Sequence, residues 1–190
     1  MIARAHASLG ILAGGRGSRL GGTDKAFVEI DGIPLLRRVI TAAGPGWAHI
    51  LASHNRPEDP RRRGFEQEGI VFVADAMAAG EGPLAGLDAL LHACENEWLL
   101  TLPVDVGDPS TDVVDRLLCT QGAVLRDADG PQPLFALWHV PSARGEVRQV
   151  LESGERAVQG IAPRLGLPTV DWSPRRLGNL NTPEDFRTRP

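Results

Sequence analysis

Basic side chains and glycines are concentrated in one short stretch, LAGGRGSRLGGTDK at residues 12–25, which directly follows an apolar run. Glycines allow backbone N–H groups to approach an anion without obstruction by Cβ atoms. Arg19 and Lys25 could place positive charge beside a polyphosphate, while the amides around Gly14 and Gly15 bind it from below. The residue types and their spacing therefore predict a phosphate-binding loop.

Neither of the two common glycine-rich phosphate motifs fits this stretch. A P-loop requires glycine before its lysine and Ser or Thr after it, whereas Lys25 lies between Asp24 and Ala26. The dinucleotide motif requires a third glycine where Leu20 stands. Lys25 is also the single lysine among the 20 basic residues. A compact ammonium in a chain that otherwise uses arginine supports a role for Lys25 in binding phosphate.

The elements that must position this loop alternate between apolar runs and amphipathic segments. Strands are predicted near residues 8–12, 49–53, 69–74, 98–104, 123–126, 133–138 and 169–172. Helices are predicted within 31–44 and near 84–94, 111–119, 143–152 and 156–165, with N-caps at Ser110 and, for a last short helix, Thr182. This alternation predicts right-handed crossovers and a mainly parallel sheet. Stretches 13–25, 75–86 and 105–109 all follow strands, where such sheets bind ligands.

Length and composition limit the class of protein. The chain has 190 residues, 42% of them hydrophobic, and a net charge of −4, which predicts a soluble globular domain and disfavours nucleic-acid binding. No apolar run reaches the roughly 18–20 residues that cross a bilayer, and the N-terminus lacks the hydrophobic region of a secretory signal. Cys94 and Cys119 are predicted to be buried and unpaired in a reduced, cytoplasmic setting. The basic run at 61–63 is predicted to be a solvated loop, and the five histidines, which lack metal-ligand spacing, receive no role.

Five motifs together resemble the signature of the molybdenum cofactor guanylyltransferases. The stretch LAGGRGSRLGGTDKAFVEIDGIPLL is similar to the family pattern L-A-G-G-x-x-x-R-M-G-x-x-D-K, which is followed by a short strand and G-x-P-L. GPLAGL at 82–87, LPVD at 102–105, QPLFALW at 132–138 and NLNTPED at 179–185 continue the similarity. Each motif is moderately specific, but all five occur in the family's order over nearly the whole chain.

The resemblance implies a Rossmann-like three-layer α/β/α nucleotidyltransferase fold with a mainly parallel sheet. One domain over residues 1–190 would bind GTP through its N-terminal half and molybdopterin through its C-terminal half. The implied reaction transfers GMP from GTP to the terminal phosphate of molybdopterin, or of Mo-molybdopterin, and releases pyrophosphate with Mg²⁺ as cofactor. Contacts with other cofactor-biosynthesis proteins and recipient molybdoenzymes would be transient. The chain is expected to be a monomer without a membrane or nucleic-acid partner.

The resemblance also implies roles for individual residues. Arg19 and Lys25 would face the phosphates of the nucleotide and of the leaving group. Asp105 would bind Mg²⁺, in agreement with the preference of this ion for one or two carboxylates plus phosphate oxygens and water. The nucleotide would further contact Leu12, Ala13, Gly14, Gly15, Ser53, Asp75, Gly82 and Pro83. Molybdopterin would contact the QPLFALW stretch, through Gln132 and Pro133, and also Asn179, Asn181 and Thr182.

The chain departs from the family pattern at three places. Residues 106–109 replace the usual x-P-x-x-P behind Asp105, so Asp108 is either a second metal ligand or, as we favour, a loop acid. Ser53 stands where asparagine is common, which leaves one contact to the base in doubt. Leu20 replaces methionine at nearly equal volume, a change that packing should tolerate.

Other functions remain open from the sequence. Cytidylyltransferases that make the cytosine dinucleotide cofactor have the same fold but a second alanine where Gly14 stands, and the missing Cβ leaves room for a purine and favours guanine. Sugar-nucleotide synthases have a different loop ending. A non-catalytic nucleotide-binding relative is favoured only by the altered 106–109 loop, and Arg19, Lys25 and Asp105 argue against it.

Overall fold

A seven-stranded sheet lies at the centre of the chain, in a computed structural model that describes residues 1–13, 24–56, 58–74, 82–107 and 110–178. The strands are β1 (Ala7–Leu12), β2 (Glu29–Ile30), β3 (Ile33–Pro34), β4 (His49–Ser53), β5 (Ile70–Val73), β6 (Trp98–Pro103), β7 (Ala123–Asp127), β8 (Gly130–His139) and β9 (Thr169–Asp171). The helices are α1 (Leu35–Ala43), α2 (Arg62–Gln67), α3 (Pro83–Ala93), α4 (Thr111–Leu118), α5 (Val140–Glu152) and α6 (Ile161–Arg164). Within the described residues, 3₁₀ turns cover Arg4–His6, Lys25–Phe27 and Val158–Gly160.

Among the described strands of the large sheet, only β8 runs against the others. The strand order is β5-β4-β1-β6-β8-β7-β9, and β2 and β3 form a separate hairpin. β1 pairs in parallel with β4 and β6, β4 with β5, and β7 with β9. β8 pairs antiparallel with β6 and β7. The predicted mainly parallel sheet is therefore confirmed.

Helices cover both faces of this sheet. On one face α1 and α4 pack over a core that includes Leu36 and Leu100. On the other face α3, α5 and α6 pack over Leu90, Leu99 and the fully buried Trp138. β1 is buried at every residue, as expected for a parallel strand covered from both sides. The layers are helix, sheet and helix, which confirms the predicted α/β class.

The approach of α3 to the sheet depends on Gly86. A Cβ atom at Gly86 would lie 3.0 Å from Ser53 Oγ and 3.1 Å from Leu12 Cδ2. The glycine thus allows α3 to lie directly against the carboxyl ends of β1 and β4. These are the strand ends at which the sequence predicts ligand binding.

The structure differs from the predicted elements in two segments. Arg62 begins α2 where a solvated loop is predicted; its guanidinium carbon lies 4.6 Å from the centre of the Phe72 ring, and Phe65 of the same helix is buried. Packing onto the sheet thus makes this charged segment helical. The helix predicted over 156–165 is instead a 3₁₀ turn followed by the short α6, because Gly160 and Pro163 disfavour a continuous helix.

Several smaller predictions have mixed outcomes. Ser110 occupies the N-cap position of α4, but its buried hydroxyl has no hydrogen-bond partner among the described residues. Cys94 is buried as predicted, whereas Cys119 is exposed, and both are free. The short helix predicted from Thr182 lies outside the described residues. In the described part of the chain, every helix is too short or too polar to cross a membrane.

Candidate active site

The carboxyl ends of three neighbouring strands meet at one edge of the sheet. Leu12, the last residue of β1, is paired with Ser53 of β4 and with Pro103 of β6. Beyond the strands, Ala13 N donates to Ser53 O at 3.2 Å, and Val104 N donates to Leu12 O at 3.1 Å. The chain that follows each strand therefore starts from a fixed position at this edge.

An ion pair joins two of the predicted catalytic residues at this edge. Lys25 Nζ donates to Asp105 Oδ2 at 2.7 Å, although 80 residues separate the two along the chain. Their side chains are 24% and 23% exposed, so both can reach solvent and a ligand. The arrangement presents one cation and one carboxylate side by side, which suits binding of a phosphate chain together with a metal ion.

A short 3₁₀ turn carries Lys25. Asp24 precedes the turn, and its Oδ1 accepts a hydrogen bond from Ala26 N at 3.1 Å. Ala26 and Phe27 are buried, which directs the apolar side of the turn into the core and leaves Lys25 toward the edge. The predicted D-K pair is thus one structural unit, in which Asp24 fixes the backbone that presents the ammonium of Lys25.

A cavity of about 380 Å³ opens beside Asp105. Pro83, predicted to contact the nucleotide, lines this cavity with Asp105. Gln132 and Pro133, predicted to contact molybdopterin, line it as well. The fold therefore brings residues from both halves of the chain to one cavity, next to the ion pair.

The N-terminus of α3 reaches the same cavity. Gly82 has φ 90°, a conformation that favours glycine, and Pro83 is the first helical residue. The N–H groups of a helix N-terminus carry partial positive charge and favour an anionic ligand. The predicted Gly82–Pro83 contact with the nucleotide is compatible with this position.

Asp127 stabilises the cavity wall, although no sequence motif points to it. Its carboxylate is 3% exposed and accepts hydrogen bonds from Gln132 Nε2 at 2.9 Å, from Asp129 N at 2.9 Å and from Leu177 N at 3.0 Å. Burial alone would raise the pKa of Asp127, but these hydrogen bonds outweigh it and lower the pKa below its ordinary value. The ionised carboxylate therefore holds Gln132 in the wall.

A buried histidine beneath the Lys25 turn is the second residue that sequence reasoning missed. His54 directly follows β4, is 1% exposed, and is hydrogen-bonded through Nε2 to Asp24. One nitrogen or oxygen atom each of Asp24, His54 and Asp59 could serve as a metal ligand, and these three atoms all lie within 4.8 Å of one another. The position of His54 just after a strand that ends at the site is the signal that could have indicated it.

The remaining predicted site residues fall into two groups. Leu12 and Ala13 are 7% and 5% exposed, and Ser53 is fully buried with its hydroxyl lacking a hydrogen-bond partner within the described ranges. Because Ser53 is fully buried, it could contact a nucleotide directly only if the residues packed over it moved. The other predicted residues lie outside the described part of the chain: Gly14, Gly15, Arg19, Asp75, Asn179, Asn181 and Thr182, and also Asp108.

Comparisons with known sequences agree with the motifs. The model of the MobA-like NTP transferase domain matches residues 9–165. The molybdenum cofactor guanylyltransferase of Vibrio campbellii is 33% identical over 193 residues, covering 98% of this chain and 96% of that protein. The enzyme of the same name from Photobacterium profundum is 33% identical over 184 residues, covering 93% and 92%.

Solved structures share the fold. The molybdopterin-guanine dinucleotide biosynthesis protein A of Archaeoglobus fulgidus has a TM-score of 0.73 at 21% identity and covers 95% of each chain. The 2-C-methyl-D-erythritol 4-phosphate cytidylyltransferase of Thermus thermophilus has a TM-score of 0.68 at 17% identity and covers 94% of each chain. At these identities the likeness shows the nucleotidyltransferase fold alone.

The fold and the matched domain together define a nucleotidyltransferase. The chain belongs to the MobA-like NTP transferase family, within which full-length relatives are molybdenum cofactor guanylyltransferases. The resemblance stated from the motifs is confirmed, and so is the enzyme class.

Asp105 fits the divalent metal ion that NTP transferases generally use. It offers a partly exposed carboxylate just beyond the end of a buried strand, in the lining of the cavity. Mg²⁺ is typically held by one or two protein carboxylates, with phosphate oxygens and water completing its coordination. Asp127, the buried acid of the same wall, is already engaged by three hydrogen-bond donors. Asp105 is therefore the better placed ligand of the two.

Proposed function

We propose that this nucleotidyltransferase transfers GMP from GTP to the terminal phosphate of molybdopterin, free or carrying molybdenum. An oxygen of the terminal phosphate attacks the α-phosphorus of GTP and forms the new P–O–P bond. The bond from the α-phosphorus to the oxygen bridging to the β-phosphorus breaks, and pyrophosphate leaves. The product is the guanine dinucleotide form of the cofactor.

The contact between Lys25 and Asp105, a residue that lines the cavity, is the observation that carries this proposal. Two anionic substrates must meet, so repulsion between them has to be reduced and the leaving pyrophosphate stabilised. Lys25, with Arg19, would supply fixed positive charge to the phosphates. Mg²⁺ held by Asp105 would supply the remaining charge neutralisation. The 33% identity to full-length guanylyltransferases supports the choice of reaction.

The cavity wall formed by β8 is the proposed position of the acceptor. Gln132 is held by Asp127 and projects from the same wall as Pro133. Asn179, Asn181 and Thr182 would extend this surface. Holding both substrates in one cavity contributes much of the rate in reactions of this type, because it replaces a bimolecular encounter with a fixed geometry.

Guanine is the proposed base, with Leu12, Ala13, Gly14 and Gly15 along the nucleotide and Ser53, Asp75, Gly82 and Pro83 around it. The test is a competition assay with Mg²⁺, molybdopterin and equimolar GTP and CTP, in which the attached base is identified by mass spectrometry. Attachment of guanine supports the reaction and the base together. Attachment of cytosine would overturn the role of Gly14 and favour a cytidylyltransferase. If GTP binds but no base is attached, the chain is a non-catalytic relative.

The biological setting is part of the same proposal. The chain would act as a monomeric single domain in the cytoplasm, with GTP and molybdopterin as substrates. Its contacts with other cofactor-biosynthesis proteins and recipient molybdoenzymes would be transient. Elution as one species of about 20.4 kDa in size-exclusion chromatography with light scattering would support the monomer.

A further inference from the structure

His54 is fixed in the core on the side of the sheet edge that carries Lys25. Its backbone N donates to Val73 O at 2.8 Å, which ties the residue after β4 to the end of β5. Its side chain is 1% exposed and lies edge-on to Phe27 and Phe72, with ring centres 5.3 Å and 5.6 Å away. The imidazole therefore has one position, set by the strand ends and two aromatic rings.

One carboxylate connects this imidazole to the Lys25 turn. His54 Nε2 is hydrogen-bonded to Asp24 Oδ2, with the imidazole N–H as donor and the carboxylate oxygen as acceptor. The second oxygen of Asp24 accepts from Ala26 N and so fixes the first part of the turn. Lys25 lies between these two residues, and its Nζ contacts Asp105 at 2.7 Å. A continuous chain of contacts thus runs from His54 to the ion pair at the cavity.

The other end of the turn is held by a second set of contacts. The Arg61 guanidinium carbon lies 4.6 Å from the centre of the Phe27 ring, a favourable cation–π distance. Arg61 is fixed in turn by Asp59, whose Oδ1 accepts from Nε at 2.9 Å and whose Oδ2 accepts from the terminal nitrogen at 2.6 Å. Asp59 already binds the Arg61 cation. We therefore interpret the cluster of Asp24, His54 and Asp59 as a set of contacts that holds the Lys25 turn in place, and not as a metal site.

We propose that His54 is a positioning residue: by holding Asp24, it fixes the turn that keeps Lys25 at Asp105 and ready for the substrate phosphates. The effect of His54 on turnover rests on the proposed function. Its effect on the turn does not, since that depends only on the contacts among His54, Asp24 and Ala26. Displacement of a charged group by about 1 Å can cost on the order of a hundredfold in rate, so such fixing has catalytic value.

The matched variants His54→Asn and His54→Gln test the inference. The glutamine amide nitrogen falls near Nε2 and can donate to Asp24, whereas the asparagine amide falls near Nδ1 and cannot. Both are polar amides that differ by one methylene group, and the double-mutant cycle below separates any packing cost of that difference from the loss of the hydrogen bond. We expect His54→Asn to lower kcat/KM for GTP about tenfold or more, and His54→Gln to restore most of the loss. Should His54→Asn not fold, the apolar His54→Leu replaces it.

A double-mutant cycle separates positioning of Lys25 from a general structural role. In a Lys25→Met background, His54→Asn should cost little further activity, because the group it positions is already gone. An equal loss with and without Lys25 would overturn the inference. Equal activities of the asparagine and glutamine variants would overturn it as well.

Amide hydrogen exchange measured by NMR tests the turn without any assay of activity. The Ala26 amide should exchange about tenfold faster in His54→Asn than in His54→Gln, while the Leu9 amide in β1 exchanges equally in both. Unchanged exchange at Ala26 would overturn the inference even if the protein is an active guanylyltransferase. Faster exchange in a protein that attaches no nucleotide would retain it and reject the proposed function.

Discussion

At the scale of single residues, Asp105 would combine two roles under the proposed function. It holds the ammonium of Lys25 in the described structure, and it is the carboxylate best placed for a metal ion that accompanies the nucleotide. Binding of a metal and a triphosphate would redistribute these charges: the ammonium can turn to phosphate oxygens while the carboxylate turns to the metal. Residues of this kind contribute far more to turnover than to folding, because they are partly exposed and their partners change during the reaction.

Asp105→Ala should therefore affect turnover much more than binding. We expect kcat to fall at least about a hundredfold, whereas the Kd for GTP rises less than about tenfold, because the loop amides and Lys25 remain. Steady-state kinetics and isothermal titration calorimetry measure the two quantities. Glu95→Ala, an exposed acid at the opposite edge of the sheet, is the control. A fully active Asp105→Ala variant would place the metal ion elsewhere.

Asp59 predicts a pH dependence of stability. Hydrogen bonds from the Arg61 guanidinium are the main cause that lowers the pKa of Asp59 from 3.8 to about 2. Since the pKa is lower in the folded than in the unfolded chain, this group stabilises the fold above about pH 4 and loses its contribution as the pH falls toward 2. Asp59→Asn should cost about 1 kcal/mol at pH 6, after solvent screening, and progressively less as the pH falls from about 4 through 2. Urea unfolding at several pH values measures this, and a pH-independent difference would contradict it.

At the scale of elements, α3 packs directly against the carboxyl ends of β1 and β4, next to the candidate site. All residues of α3 from Leu84 to Leu91 are buried, so the helix has little freedom to shift. Gly86 sets its distance from the sheet, and Ser53 and Leu12 are the neighbours that a larger residue would displace. The stability of the core and the geometry of the strand ends at the candidate site are therefore coupled through one helix.

Gly86→Ala should destabilise the protein although alanine is the better helix former. The added Cβ would meet Ser53 Oγ at 3.0 Å, and we expect a loss of about 1–3 kcal/mol in the free energy of unfolding. Gly145→Ala in α5 is the matched control, since nothing lies within 4 Å of its Cβ position and it should stabilise by roughly 0.5–1 kcal/mol. Urea denaturation of both variants provides the comparison. Equal changes in the free energy of unfolding for the two variants would mean that α3 can shift away from the sheet without loss of stability.

The sequence predicted elements where local pattern decides and missed those where tertiary contacts decide. The apolar runs of β1, β4 and β6 are recognisable because strands buried on both faces need continuous apolar residues. α2 was not recognisable, because its arginines resemble a surface loop until Phe72 of β5 is placed beside Arg62 and Phe65 is buried. Lys25 and Asp105 could be predicted from motifs, whereas His54 acquires its role only when Asp24, 30 residues away, folds against it.

At the scale of the whole molecule, Asp127 connects segments that are distant in the chain. Its carboxylate binds Gln132 of β8 and the backbone of Leu177, which lies 50 residues further along. Close by, Gly107 N donates to Gly178 O at 3.0 Å, so the segment after Asp105 is also tied to the C-terminal part of the described chain. This wall of the cavity is thus assembled from three separate parts of the sequence.

Asp127→Asn should weaken binding of the acceptor specifically. Both carboxylate oxygens of Asp127 now accept hydrogen bonds from N–H groups. In asparagine an NH₂ group replaces one of these oxygens and cannot accept, so one buried N–H loses its partner. We expect KM for molybdopterin to rise about tenfold, while KM for GTP changes little. Asp171→Asn, which also accepts from a backbone N–H but is exposed on β9, serves as control. An equal rise of both KM values would show that Asp127 supports the entire cavity.

The order of strands in the sheet has a consequence for synthesis of the chain on the ribosome. Lys25 emerges early, but its partner Asp105 becomes available only after β6 has been made and has paired with β1. The cavity wall follows later still, when β8 pairs antiparallel with β6 and the Leu177 segment reaches Asp127. Contacts over such long sequence separations form late in folding, because closing long loops costs entropy before any contact is gained. During synthesis the ion pair of Lys25 and Asp105 can therefore form before the β8 wall of the cavity, which is complete only once the Leu177 segment has emerged.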